Sequence, residues 1–579
     1  MDPERVADRT TVGLFLRQAA RLGDRTAVRH HDGSGWRGVS WAGLRDLTLR
    51  TAACLVGAGV QAGDRLVLMS ENRLEWISCD LAIQAVGGIT VPIYASTPPG
   101  AAQVIAEDAG ATLGFVADDL ACRLRLDRLV RLDADLPGWV GNEADPELMA
   151  AVEARMAALL PDDVATIVYT SGTTGVPKGV MLAHRSFVDM ARSCLEVFDI
   201  GPDDESLSFL PYAHVFERIN GVFVGLAAGG STWLSRGVPR LVDDLGECRP
   251  TVMVAVPRVY EKMHQQVMAL VRQAPGRRRA IFGWALEQGR RRSQGRAAPL
   301  HFLADRIVLG PIRRRLTGGR LRFFVSGGAP LSAEVEGFFW ALGVQIYNGW
   351  GMTETASGAT SNRPGRHRFE TVGPPLPGVE LRIAEDGEIL VSSPGNMLGY
   401  YRNAAASAET LDDGWVRTGD IGEVDADGFL RITDRKKELI KTAGGKFVAP
   451  AQLEARLMKA PIIERAIVVG DERPYVVALI VPDWQALEAI EGVSGSPEQL
   501  LQDERARAAV QRCVDDLNRD LGSWETVKYF ELLAQDLTEE ADELTPTLKV
   551  KRRVVGQRYR GVIDRMYQDK ARPEATHRG

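Results

Sequence analysis

The sequence predicts a layered α/β protein that ends in a smaller α+β unit, and three observations carry that reading. Apolar runs of strand length alternate with helical patterns from the N-terminus to about residue 350, as in a largely parallel sheet covered by helices. After about residue 371 short strands and turn residues take over. The 579 residues exceed what one hydrophobic core can serve, so at least two domains are expected.

In chain order, Thr11–Leu16 begins a helix with a hydroxyl near its start, and 41–59 continues with Leu44, Leu47, Cys54 and Leu55 at helical spacing. Arg65–Met69 reads as a buried strand, 75–85 as a helix, Ile89–Tyr94 as the next strand, 99–109 as a helix and Thr112–Val116 as a strand. The alternation resumes at Ala165–Val168, Leu207–Leu210, Val252–Val256, Phe323–Val325 and Val344–Tyr347. A β-rich stretch follows, with Gly387–Val391, Asp412–Trp415 and Asp425–Phe429. The charged run Asp434–Glu438 is a junction. Beyond it come a helix near 451–459, strands near 465–470 and 475–481, helices across 498–521 and a polar tail from Asp569.

One stretch carries clear chemistry. Tyr169-Thr170-Ser171-Gly172-Thr173-Thr174-Gly175-Val176-Pro177-Lys178-Gly179 follows an apolar strand and combines hydroxyls, glycines and one lysine with no acid. Backbone N–H groups freed by glycine, hydroxyl donors and an ammonium together make a cradle for phosphate. The spacing is not that of a Walker loop, and no helix signal opens after Lys178.

Bulk properties exclude other classes. The formal charge of −6 gives no nucleic-acid signal. Six scattered cysteines without a CxxC pair suit buried thiols in a reducing compartment. The N-terminus lacks an apolar signal core, so a cytoplasmic protein is expected, with room for peripheral attachment to the inner face of a membrane. Only 11 of the 70 basic residues are lysine, which singles out the cluster Lys436, Lys437, Lys441 and Lys446, and Lys549 and Lys551. Residues 271–320 hold 13 arginines against Glu287 and Asp305, a local balance of +11. Such a segment suits an anionic membrane surface, and equally a solvated helical face.

Further motifs follow the cradle in fixed order: Leu210-Pro211-Tyr212-Ala213-His214-Val215-Phe216-Glu217-Arg218, Ser326-Gly327-Gly328-Ala329-Pro330, and Tyr347-Asn348-Gly349-Trp350-Gly351-Met352-Thr353-Glu354. Then come Gly414–Asp420, Asp434–Glu438 and Leu544-Thr545-Pro546-Thr547-Leu548-Lys549-Val550-Lys551-Arg552. Over roughly residues 10–565 the chain resembles the adenylate-forming (AMP-binding) enzymes, and within them the long-chain fatty acyl-CoA synthetases. The His214…Glu217-Arg218 form, Val256–Lys262 and the Thr-Pro-Thr-x-Lys-x-Lys-Arg ending carry that narrower likeness.

The resemblance implies a large N-terminal domain over 1–434, made of α/β subdomains and a small distorted β-barrel. A hinge over 435–440 and a mobile α+β C-terminal domain over 441–579 would complete the chain. It implies ATP-dependent activation of a long-chain fatty acid to acyl-AMP, then thioester formation with coenzyme A, with Mg²⁺ required. Thr170–Gly175 and Lys178 would hold the β- and γ-phosphates, with Thr174 and Glu354 toward the metal and Thr353 on the α-phosphate. Gly327, Gly328, Ala329, Pro330, Asn348, Gly349, Trp350, Gly351 and Met352 would receive adenine, with Trp350 where the family usually has tyrosine. Asp420 would take the ribose hydroxyls, assisted by Arg435, and Ile432 would also border the nucleotide. His214 would border the carboxylate, and Tyr212, Val215, Phe216 and Val256 the acyl chain. Lys549 would bridge carboxylate and α-phosphate; Leu548 stands where the family has glycine. Lys437 would be the hinge, and Lys441, Gly444, Gly445 and Lys446 would serve the thioester step. Passage of the acyl group to an acyl carrier protein, or a medium-chain or other acid, are the alternatives, together with a non-catalytic binding protein.

Overall fold

The computed structural model describes residues 6–141, 145–170, 177–436, 439–443, 446–490, 493, 495–519, 521–538, 541, 543–544 and 550–568. Contacts divide the chain into two compact units. One comprises residues 1–384, 389–418 and 424–431; the other comprises 385–388, 419–423 and 432–579.

The first unit is built on two sheets. Its early strands are β1 (Thr26–His31), β2 (Trp36–Ser40), β3 (Arg65–Met69), β4 (Ile89–Ile93), β5 (Leu113–Val116) and β6 (Arg128–Arg131). Next come β7 (Val164–Thr170), β8 (Lys178–Ala183), β9 (Glu205–Ser208) and β10 (Ser231–Leu234). They are followed by β11 (Val252–Ala255), β12 (Phe323–Ser326), β13 (Gln345–Trp350) and β14 (Thr360–Ser361). In chain order there follow six strands whose residues the division assigns partly to one unit and partly to the other: β15 (Glu380–Ile383), β16 (Glu388–Ser392), β17 (Gly399–Tyr400), β18 (Leu411–Asp412), β19 (Trp415–Val424) and β20 (Leu430–Arg435).

A seven-stranded sheet runs β17-β8-β7-β4-β3-β5-β6, and an eight-stranded sheet β14-β13-β12-β11-β9-β10-β1-β2. The interior pairs are parallel, as the strand–helix alternation predicts, and the antiparallel pairs sit toward the ends. The helix Leu74–Ala85 is buried on nearly every side, which explains its lack of a polar face. Local signals fix several starts: Thr10 caps the helix Thr11–Leu22 by accepting from the Gly13 N–H, and Ser332 caps Ala333–Ala341 through the Val335 N–H.

The β-rich stretch after 371 forms a five-stranded sheet, β15-β16-β19-β18 with β20 paired to β19. In the second unit a three-stranded sheet contains β23 (Ile463–Val469), β24 (Val476–Pro482) and β25 (Val527–Leu532), preceded by the short hairpin β21 (Ile440–Lys441) and β22 (Phe447–Val448). Every residue of β24 is buried, because its two faces feed two cores. Val476, Ala478 and Ile480 pack on one side, Val477, Leu479 and Val481 on the other. The strand β25 and the helices Arg552–Arg558 and Arg560–Gln568 add to the elements that the sequence predicts. The cysteines are free thiols, with Cys79, Cys194 and Cys248 buried, Cys54 and Cys513 half-buried, and Cys122 exposed, the last departing from the expected burial.

Candidate active site

The segment expected to cradle phosphate falls between two antiparallel strands, and Thr170 at the end of β7 pairs with Lys178 at the start of β8. A strand after the loop, in place of a helix, separates it from the Walker arrangement in three dimensions. Ser171, Gly172, Thr173, Thr174 and Gly175 lie outside the described residues.

Most remaining first-unit motifs follow the carboxyl ends of four neighbouring strands, β9, β11, β12 and β13, in the eight-stranded sheet. Residues 210–218 follow β9, Val256 follows β11, Gly327–Pro330 follow β12, and Gly351–Glu354 follow β13, which itself contains Asn348, Gly349 and Trp350. Ligands of open α/β sheets bind outside such carboxyl ends. Sequence-distant motifs also touch: a Cβ at Gly327 would lie 3.0 Å from the Phe216 ring, so a larger residue there would press the ring aside. Gly328, Ala329 and Pro330 are exposed, and Trp350, Met352 and Thr353 are half-buried. Phe216 and Val256 are half-buried, whereas Tyr212 and Val215 are core residues, Tyr212 against Trp76 at 5.3 Å. His214 is half-buried and its Nδ1 accepts from the Phe216 N–H at 3.0 Å, which shapes the turn.

Glu354 is the middle residue of a short 3₁₀ turn, Thr353–Thr355, which is followed by left-handed Ala356 and Ser357, at φ 49° and 75°. Non-glycine residues there are held by their surroundings at a cost. The Tyr400 hydroxyl donates to Glu354 Oε1 at 2.7 Å, and the Lys178 ammonium lies 4.9 Å from the centre of the Tyr400 ring. Burial, first, and the Glu354 charge push the Tyr400 phenol far above its ordinary range, so it stays a donor. Tyr400 thus links the lysine that ends the cradle to the carboxylate after β13. Sequence reasoning passes over it; its only signal is the Gly399-Tyr400-Tyr401 run.

Behind these loops lies a buried polar network. The Arg218 guanidinium grips both oxygens of Asp80, with Nε to Oδ2 at 3.0 Å, and donates to Thr166 Oγ1 at 2.8 Å; Arg218 and Asp80 are 0% and 2% exposed. Asp80 also accepts from Gln84 and Thr90, each at 2.8 Å, and Thr11 joins Gln84 to His184. Burial, then the Arg218 charge, pushes His184 down to about 4, so it is neutral. Adjacent Glu217 is fully buried, accepts from the Ser208 hydroxyl and is pushed up to about 8 by burial. Room for its carboxyl exists because Gly221, one turn on in the π-helical segment Glu217–Phe223, has no Cβ to collide with it.

A raised carboxyl pKa keeps a proton in the folded state that the unfolded chain releases. Its stabilising contribution is therefore present at low pH and lost as pH climbs from about 4.5 to about 8. Glu217→Gln is expected to flatten that decline; urea midpoints of both proteins across this pH range would check it, and parallel curves would contradict it.

In the second unit Asp420, almost fully buried, faces the Arg435 guanidinium at 2.8 Å. Ile432 lies on the same strand as Arg435. Lys436 pairs with Asp386 at 2.6 Å and Glu388 at 2.9 Å. Lys441 and Lys446 flank the tip of the β21–β22 hairpin, where the Thr442 N–H donates to the Lys446 carbonyl at 2.9 Å. Lys437, Gly444, Gly445 and Lys549 lie outside the described residues. Leu544 and Val550, on either side of Lys549 in sequence, form an antiparallel bridge, and the Lys551 N–H donates to the Glu543 carbonyl at 2.8 Å.

The chain belongs to the AMP-binding enzyme family, the adenylate-forming enzymes. The family's main model matches residues 15–401, and that of the AMP-binding enzyme C-terminal domain matches residues 437–571. The chain is 37% identical to the long-chain-fatty-acid–CoA ligase FadD15 of Mycobacterium bovis, over 92% of each chain. It is 32% identical to the peroxisomal long chain acyl-CoA synthetase 6 of Arabidopsis thaliana, over 90% of this chain and 80% of that one. Among solved structures, ATP-bound MatB of Rhodopseudomonas palustris superposes with a TM-score of 0.70 at 25% identity, covering 96% of this chain and 99% of that one. The adenylation domain of a Mycobacterium chelonae carboxylate reductase shares the fold, with a TM-score of 0.74 at 23% identity over 97% and 91% of the two chains.

Proposed function

We propose that this chain is an AMP-forming long-chain fatty acid–CoA ligase. The observation that carries the reading is the convergence of the cradle's last lysine, Tyr400 and Glu354, beside loops at the carboxyl ends of β9, β11, β12 and β13. In the first step a fatty acid carboxylate oxygen attacks the α-phosphorus of ATP, the bond to the bridging oxygen breaks, and pyrophosphate leaves with its electrons. A polyanion attacked by an anion needs cations and fixed donors in excess. Thr170 through Gly175 and Lys178 would hold the leaving pyrophosphate, Thr353 the α-phosphate, and Lys549 both reacting oxygens. Asp420, oriented by Arg435, would accept from the ribose hydroxyls.

Glu354 fits Mg²⁺, a hard cation that uses one or two carboxylates with phosphate oxygens and water. Its carboxylate is oriented by Tyr400 at one oxygen, and the ion would neutralise charge on the phosphates. In the second step the thiol of coenzyme A attacks the acyl carbonyl and AMP departs. That step needs Lys549 out of the way, and rotation of the C-terminal domain (441–579) on the N-terminal domain (1–434) about Lys437 in the 435–440 hinge would replace it with the Lys441–Lys446 loop. An acyl carrier protein is the alternative acceptor.

Tyr400→Phe is expected to weaken Mg²⁺-dependent binding of a non-hydrolysable ATP analogue about tenfold, roughly the worth of one hydrogen bond to a charged group. Titration calorimetry with and without Mg²⁺ would show it, and equal affinities would contradict it. The reading as a whole is tested by carboxylate-dependent exchange of pyrophosphate into ATP across acids of graded length. Exchange with long-chain acids, followed by CoA-dependent AMP release, is expected. No exchange with any acid would overturn it, and exchange without thioester would select the carrier-protein alternative.

A further inference from the structure

We propose that Asn220 is a positioning residue for the first half-reaction: resting on the site assignments proposed above, its side chain holds the acid-bordering loop against the nucleotide turn and so keeps carboxylate and α-phosphorus in register. Asn220 lies half-buried in the π-helical segment Glu217–Phe223, just after His214 and Phe216. Its amide nitrogen donates to the Phe216 carbonyl at 3.1 Å and to the Ser357 hydroxyl at 2.6 Å, the latter 137 residues away in sequence. Its amide oxygen accepts from the thiol of Cys194, in the helix His184–Val197, at 3.7 Å. The Phe216 carbonyl can only accept, which places the amide nitrogen there and turns the oxygen toward the thiol. Burial pushes that thiol up to about 12, so it stays protonated and able to donate. Both ends of the amide therefore meet partners, and those partners come from three separate segments of the chain.

Ser357 is the point at which the second loop is held. At φ 75° it occupies the left-handed region, which serine adopts only where its surroundings hold it. Its N–H donates to the Met352 carbonyl at 2.9 Å, and its own carbonyl oxygen fills the space that a Cβ at Gly351 would need. The turn Gly351–Glu354 thus packs on Ser357, and Ser357 is tied to Asn220. One side chain sets the spacing between the loop of His214 and Phe216, which would border the acid, and the turn of Thr353 and Glu354, which would meet the α-phosphate and Mg²⁺. Alignment of two reactants counts while they are separate molecules. Once the acyl–phosphate bond has formed, that bond holds them together without the protein's help.

The test compares the two half-reactions in full-length Asn220→Ala. The kcat of pyrophosphate exchange is expected to fall about a hundredfold, the scale of a misplacement of about 1 Å, with the KM values of ATP and fatty acid within about threefold of wild type. Thioester formation from supplied acyl-AMP and coenzyme A should stay within about threefold of normal. Adding Ser357→Gly should recover about tenfold of the lost exchange, because glycine takes the left-handed conformation with no hydroxyl contact to hold it there. If Asn220→Ala does not fold, Ser357→Ala, which removes only the accepting hydroxyl, must show the same asymmetry. Equal loss of both half-reactions, a KM raised about tenfold with kcat intact, or a double variant no faster than Asn220→Ala would each overturn the positioning role. A wild type that catalyses no exchange would instead overturn the reading of function on which that role rests.

Discussion

Lys549→Ala is expected to lower acyl-AMP formation by about a thousandfold while leaving the conversion of supplied acyl-AMP to thioester within about threefold of normal. The asymmetry follows from the chemistry of the two steps. Adenylation brings a carboxylate to a phosphate, and a compact ammonium can bridge oxygens on both molecules with freely rotating donors. Thioester formation starts from a neutral acyl carbonyl and has no such anion pair to hold together. In a chain with 11 lysines among 70 basic residues, a lysine kept at this position is consistent with that geometry. Lys437→Pro should show the opposite pattern, because proline fixes φ at the proposed hinge and so favours one domain orientation. Pyrophosphate exchange reads the first half-reaction, and thioester release from synthetic acyl-AMP the second. Equal loss of both in Lys549→Ala would remove the role assigned to it.

Arg218→Met is expected to destabilise the first unit by about 3–5 kcal/mol, the usual cost of leaving one member of a buried ion pair alone. Asp80, 2% exposed, would then face the interior with only Gln84 and Thr90 as donors among the contacts described above. Arg218 also lies against the rings of Trp76 and Phe187, at 5.5 Å and 5.1 Å, so methionine's apolar stem retains part of the packing. Adding Asp80→Leu should restore much of the loss, since removing both charges also removes their desolvation. Denaturant midpoints of the two single variants and the double variant form the required cycle. A single variant as stable as the wild type would show that the pair does not hold these elements together. Thr166 sits in β7, so the network anchors the strand that leads into the cradle.

The parallel sheets were readable because strand and helix periods differ so plainly over residues 65–116. The cradle is an expectation from composition, and of its residues Thr170 and Lys178 are described, paired across β7 and β8. The network was not readable, although it left a trace. Asp80 stands inside the apolar run Leu74–Ala85, and a carboxylate within a fully buried helix requires a cation from elsewhere. Sequence spacing could not name Arg218 as that partner, 138 residues away. Tyr400 was hidden for a similar reason: its meaning comes from β17 pairing with β8, which brings Gly399 opposite Met181 and Tyr400 opposite Val180. No element is expected from sequence at the π-helical turn Glu217–Phe223, and the clash avoided at Gly221 accounts for the glycine. Contacts between distant segments, not local propensity, set these features.

The most direct test of the central claim is a two-stage single-turnover experiment read by mass spectrometry. Enzyme in excess over palmitate is mixed with ATP and Mg²⁺, and coenzyme A is added only after the first sample is taken. Palmitoyl-AMP should accumulate on the enzyme in the first stage and convert to palmitoyl-CoA with release of AMP in the second. Failure to form the adenylate, or an adenylate that persists after coenzyme A is added, would contradict the account.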